Sequence, residues 1–93
     1  MSENKTEIEN RKKRMSYRAW HRGTQEMDLI LGNFANENLP RYNKAELDRF
    51  EKLMNEHDVD LLKWIMGQEP VPDDVDLELV EILRKAQIER TKA

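Results

Sequence analysis

Thr24-Gln25-Glu26-Met27-Asp28-Leu29-Ile30-Leu31-Gly32-Asn33-Phe34 decides the fold class. Met27, Ile30, Leu31 and Phe34 fall at i, i+3, i+4 and i+7, the spacing that gathers apolar side chains on one face of an α-helix. Thr24 supplies an N-cap hydroxyl, and Glu26 and Asp28 place negative charge in the first turn, where the helix dipole favours it. The pattern stops near Asn38, and Pro40 marks the break.

The same reading extends in both directions. Upstream, a helix is expected from about Ile8 to His21, with Met15 and Ala19 buried and Ile8 and Trp20 at its margins. Gly23 would close it as a left-handed residue. Residues 1–7 offer nothing to bury and read as a disordered N-terminal tail, leaving 8–93 as a single helical domain. Downstream, Asn43 and Glu46 form a capping-box pair ahead of a helix to about Glu56 that buries Leu47, Phe50, Leu53 and Met54. Asp58 is the expected N-cap of a short fourth helix carrying Leu61, Leu62, Ile65 and Met66, which Gly67 ends. Pro70 and Pro72 make Gln68 to Asp73 an extended loop. A last helix starts near Asp74 or Asp76 and buries Leu79, Val80, Ile82, Leu83 and Ala86, with Arg84, Lys85 and Arg90 complementing its dipole. No stretch alternates as a strand would. The expected architecture is all-α, a compact bundle of about five short helices.

Composition narrows the function. In 93 residues, 38% are apolar and 38% charged, and there is no cysteine. The missing cysteines exclude disulfide scaffolds, thiol catalysis and iron–sulfur ligation, and suit a reducing cytoplasm. No apolar run approaches the ~20 residues that span a bilayer, and the N-terminus lacks the apolar core of a signal peptide, so no direct membrane insertion is expected. The sequence holds no phosphate-cradling glycine loop, no H-E-x-x-H and no calcium loop. Two histidines leave little for a metal; Asp73, Asp74 and Asp76 read as an acidic helix start. Residues 1–22 carry a net +4 and residues 23–93 a net −7, giving the overall −3. Arg11 to Arg14 are either a solvated helix face or a nucleic-acid contact; the acidic whole favours the first. Trp64 reads as a core residue.

His21-Arg22-Gly23-Thr24-Gln25-Glu26 is the most unusual stretch. It presents a guanidinium, a bare backbone and a carboxylate around one turn. Gly23 is either a helix cap or a point where a partner's backbone approaches closely, and Arg22 and Glu26 either pair with each other or meet a partner. His21 and Glu26 could also serve as base and acid, although five short helices enclose little volume for a water-free active site.

Arg22-Gly23-x-x-Glu26, after a basic helix and before Asp28-Leu29-Ile30-Leu31, resembles the R-G-x-x-E signature of the SdhE family of succinate dehydrogenase assembly factors. A second block, Leu47-x-x-Phe50-x-x-Leu53 and then Asp58-x-Asp60-Leu61-Leu62-x-Trp64-Ile65-x-Gly67, is similar to the family's D-x-D-L-x-x-W helix. The resemblance runs from about Ile8 to Arg90. It implies a five-helix chaperone that binds the flavoprotein subunit of succinate dehydrogenase, and by extension of fumarate reductase. There it would assist the bond between the FAD 8α-methyl carbon and a histidine of the client. FAD would remain the client's cofactor, with none bound tightly by this chain, and the protein would be no enzyme and no nucleic-acid binder. Arg22, Gly23 and Glu26 carry over as the partner-binding surface, with His21 and Asp28 at its edge. The alternative is a generic helical adaptor, or a nucleic-acid module using the basic N-terminal helix.

Overall fold

A computed structural model describes residues 5–91. Helix α1 spans Lys5–Trp20, α2 Gln25–Asn38, α3 Lys44–Met54, α4 Asp58–Ile65 and α5 Leu77–Thr91, with a 3-10 turn at Leu39–Arg41. No strand occurs among the described residues. The fold is all-α, as the hydrophobic spacing predicts. Helix α1 starts earlier than expected: Lys5 to Glu7, assigned to the tail, are helical, while the rest of that tail lies outside the described residues.

The chain forms two compact units, residues 1–48 and 49–93, which divide within α3. In the first, α1 packs against α2 and both contact the 3-10 turn. Met15, Ala19, Met27, Ile30, Leu31, Phe34, Ala35, Leu39 and Leu47 are buried there. Pro40 does not simply break the chain; it occupies the first turn of the 3-10 segment, where its missing N–H is no loss. Lys12 Nζ donates to the Pro40 carbonyl at 2.9 Å, and Arg11 Nη2 donates to Asp48 Oδ1 at 2.7 Å. The Asn43 capping box forms reciprocally. Glu46 N–H donates to Asn43 Oδ1 and Asn43 N–H donates to Glu46 Oε1, both at 2.9 Å.

In the second unit α4 packs against α5. Phe50, Leu53, Met54, Leu61, Trp64, Ile65, Leu79, Val80 and Leu83 are buried. Three expectations need correction here. His57, not Asp58, is the N-cap of α4; Asp58 is its first helical residue. Leu62, Met66 and Ala86, expected in the core, are only half-buried, while Trp64 is buried as read. Ile82 is 44% exposed, because the inward face of α5 is set by Leu79, Val80 and Leu83 and a residue at position 82 points away from it. The acidic start of α5 behaves as read: Asp76 Oδ1 accepts from Leu79 N–H at 3.1 Å.

Arg49 grips Asp76 with two nitrogens, at 2.7 and 3.0 Å, and reaches Glu78 at 2.9 Å. The guanidinium holds the Asp76 carboxyl below the usual carboxylate range, and Arg11 does the same to Asp48. A carboxylate whose pKa is depressed on folding stabilises the fold above its unfolded pKa, near 3.9, and loses that contribution as pH falls through the folded value. Thermal stability should therefore decline on acidification below about pH 4. Arg49→Met should flatten that decline while lowering the neutral-pH midpoint slightly, since an exposed pair is worth no more than about 1 kcal/mol. Parallel melts of the two proteins across the acid range measure both effects.

Candidate functional site

The connection between α1 and α2 is three residues and a cap. Helix α1 closes with His21 N–H donating to the Arg18 carbonyl at 3.2 Å. Thr24 then caps α2: its backbone is extended and its Oγ1 accepts from Met27 N–H at 3.3 Å. Arg22 N–H donates to Asp28 Oδ1. One carboxylate from the first turn of α2 thus holds the backbone of the turn that precedes it. Asp28 was expected at the edge of a partner surface; its observed contact is with its own chain.

Gly23 has φ +106°, a conformation that a side chain makes costly. A Cβ there would meet no atom within 4 Å. The glycine therefore serves the turn's path and leaves open space above it. The cap reading needs adjusting, because α1 ends at Trp20 and Gly23 lies in the connection beyond its closing bond. Glu26 stands exposed in the first turn of α2, and Arg22 is half-buried on the other side of the glycine.

Trp20, the last residue of α1, fixes where this turn begins. Its indole lies against the backbone of Gly32 so closely that a Cβ on residue 32 would fall 2.2–2.5 Å from three ring atoms. Its Nε1–H donates to Asn36 Oδ1 at 3.3 Å. The sequence pattern does not predict this seat, because the neighbours of Gly32 complete the helical stripe without it. The signal lay in an unexplained glycine at the centre of a helix.

Two exposed apolar residues flank the turn. Tyr17 is 66% exposed and Leu29, one helical turn beyond Glu26, is 46% exposed. Neither was singled out from sequence, where each reads as part of a helix pattern. The Tyr17 and His21 rings are stacked, with centroids 3.9 Å apart, and His21 Nδ1 is 2.7 Å from the Tyr17 carbonyl oxygen. Tyr17, Arg18, His21 and Arg22 together line a shallow hollow of about 200 Å³. The basic run divides: Arg11 and Lys12 side chains are 13% and 12% exposed and tied to Asp48 and Pro40, while Lys13 and Arg14 are exposed. Half of the charge that could face a nucleic acid is thus engaged within its own unit.

Among the described residues no cluster of histidine and carboxylate side chains could hold a metal, and no helix is long and apolar enough to cross a membrane. The fold and the turn define a small all-α protein that presents its charged groups on an exposed helix–helix connection. Residues 13–87 match the family described as the flavinator of succinate dehydrogenase, and the chain belongs to that family. It is 30% identical over 79 residues to a Dictyostelium discoideum protein named succinate dehydrogenase assembly factor 2, mitochondrial, an overlap of 85% of this chain and 56% of the relative. It is 34% identical over 64 residues to the FAD assembly factor SdhE of Acetobacter pasteurianus, covering 69% and 59% of the two chains. A Schizosaccharomyces japonicus protein, also named succinate dehydrogenase assembly factor 2, is 42% identical over 60 residues, or 64% and 42%. The chain spans about half the length of the curated relatives it matches.

Proposed function

We propose that this protein is an FAD assembly factor that docks on the flavoprotein subunit of succinate dehydrogenase, and on that of fumarate reductase, and promotes covalent attachment of FAD. The reading is carried by one observation: an open glycine turn, with Arg22 on one side and exposed Glu26 on the other, inside the segment that matches the family. A guanidinium suits bidentate contact with a client carboxylate or carbonyls. Glu26 accepts from a basic or amide group of the client. Gly23 lets the two backbones approach. His21 borders the contact, and Asp28 holds Arg22's backbone in place for it. The protein works as a chaperone and not as an enzyme: bond formation at the flavin belongs to the client, and FAD stays the client's cofactor. The proposed compartment is the cytoplasm, in keeping with a chain free of cysteine.

Covalent flavin on the client, read as fluorescence of the denatured subunit, tests this. Deleting the gene should abolish or strongly reduce it, and the intact gene should restore it. Glu26→Gln and Gly23→Arg should restore it poorly, with client affinity at least about thirtyfold weaker, as for hot-spot residues. Glu26→Gln introduces no backbone strain, so its melting curve should stay near that of the parent. Undiminished covalent flavin in the deletion strain under all growth conditions would end the assignment.

A further inference from the structure

The hollow at the end of α1 has a chemistry of its own. A carbonyl oxygen only accepts, so in the 2.7 Å contact with Tyr17 the His21 Nδ1 carries the hydrogen. Stacking on the Tyr17 ring, with planes 18° from parallel, holds the imidazole in that orientation. Nε2 is then the ring nitrogen left to meet a ligand. In neutral His21 it presents a lone pair; in the cation it presents an N–H donor. Arg18 and Arg22, which line the same hollow, stay charged in both states.

We propose that this hollow receives a carboxylate side chain from the client's docking segment, and that His21 strengthens the grip as pH falls. The inference rests on the docking role of the Gly23 turn. With His21 neutral, an incoming carboxylate meets two guanidinium donors and one opposing lone pair. With His21 protonated it meets three donors and a third positive charge. The described ionisable groups near His21 come from α1, the turn and α2. Its own helix and turn bring Tyr17, Arg18 and Arg22, and α2, which packs against α1, brings Glu26 and Asp28 in its first turn. Asp28 is engaged by the Arg22 N–H. Because the cation binds a carboxylate better, a bound carboxylate must also favour the cation, and affinity rises on acidification.

The test is the affinity of the intact protein for the flavoprotein subunit of succinate dehydrogenase, at constant ionic strength, for the parent and for His21→Gln. Titrations at about pH 8 and about pH 6 bracket the range in which histidine alone among side chains ordinarily changes charge. The parent should bind about tenfold tighter at the lower pH and His21→Gln less than about twofold, the difference expected for one charge-assisted hydrogen bond. Titration of the client contributes to both proteins and cancels in the comparison. An equal pH response in the two proteins would overturn the carboxylate proposal and leave the docking role standing. No binding by the parent at either pH would overturn both. If duplex DNA showed the His21-dependent response and the subunit did not, the hollow would belong to phosphate and the proposal would fall.

Discussion

Gly32→Ala should destabilise the protein, although it replaces a poor helix former with the best one. In an exposed helix interior the change would stabilise by about 1 kcal/mol. Here the new methyl would lie 2.2 Å from Trp20 Cδ2 and 2.5 Å from Cε2 and Cε3, well inside contact distance of a rigid ring system. Either the indole leaves its seat and its bond to Asn36, or α1 and α2 separate. Overpacking of this kind costs about 1–3 kcal/mol, which outweighs the propensity gain. Each net kcal/mol should lower the melting midpoint by roughly 4–8 °C for a domain of this size. The sign supplies the sharper check. In a Trp20→Ala background the obstacle is gone, and Gly32→Ala should become stabilising. A double-mutant cycle on urea unfolding measures this coupling, and additive effects would show that the indole does not govern residue 32. Trp20 also precedes His21 directly, so the variant tests how firmly the docking turn is held.

What the sequence made legible follows from the range of the physics involved. Helix caps depend on groups within four residues, and Thr24, Asn43 and Asp76 each form the bond their spacing predicts. The stripe Met27, Ile30, Leu31 and Phe34 is buried to the last residue, because 3.6-residue periodicity is a property of the chain itself. The positive φ of Gly23 was likewise readable, since it lies between two helical patterns where a left-handed residue turns the chain. The errors arise where a third element decides. Ile82 has the hydrophobicity of a core residue but faces outward, and Leu62 and Met66 are only half-buried. Asp28 binding the Arg22 backbone depends on the path of the turn between α1 and α2. Position and residue type cannot supply that.

Arg84→Met should destabilise the second unit by about 2–3 kcal/mol, because it removes charged donors from the carbonyls that end α4. Arg84 was expected to complement the dipole of its own helix. It reaches instead to the end of α4, where Nη2 donates to the Trp64 carbonyl at 2.6 Å and Nε to the Ile65 carbonyl at 3.0 Å. The final turn of any helix leaves four carbonyls without helical donors, and α4 shows how each is met. Leu62 receives Met66 N–H at 2.9 Å, Lys63 receives Gln68 N–H at 2.8 Å, and Trp64 receives Gly67 N–H at 3.1 Å. These last two bonds form a Schellman motif around Gly67, whose φ of +72° permits it. Arg84 completes the set at Ile65 and adds a further donor at Trp64, placing positive charge against the negative end of the α4 dipole. Methionine retains the apolar stem of the side chain, so the loss reads chiefly the donors. Arg84→Lys should recover about half of the stability, since a compact ammonium cannot fork across two carbonyls as a guanidinium does. Urea unfolding of the three proteins distinguishes the outcomes. Arg84→Met within about 0.5 kcal/mol of the parent, the scatter of an ordinary surface change, would mean that water replaces the guanidinium without loss. The end of α4 would then be held by the Schellman motif and not by α5.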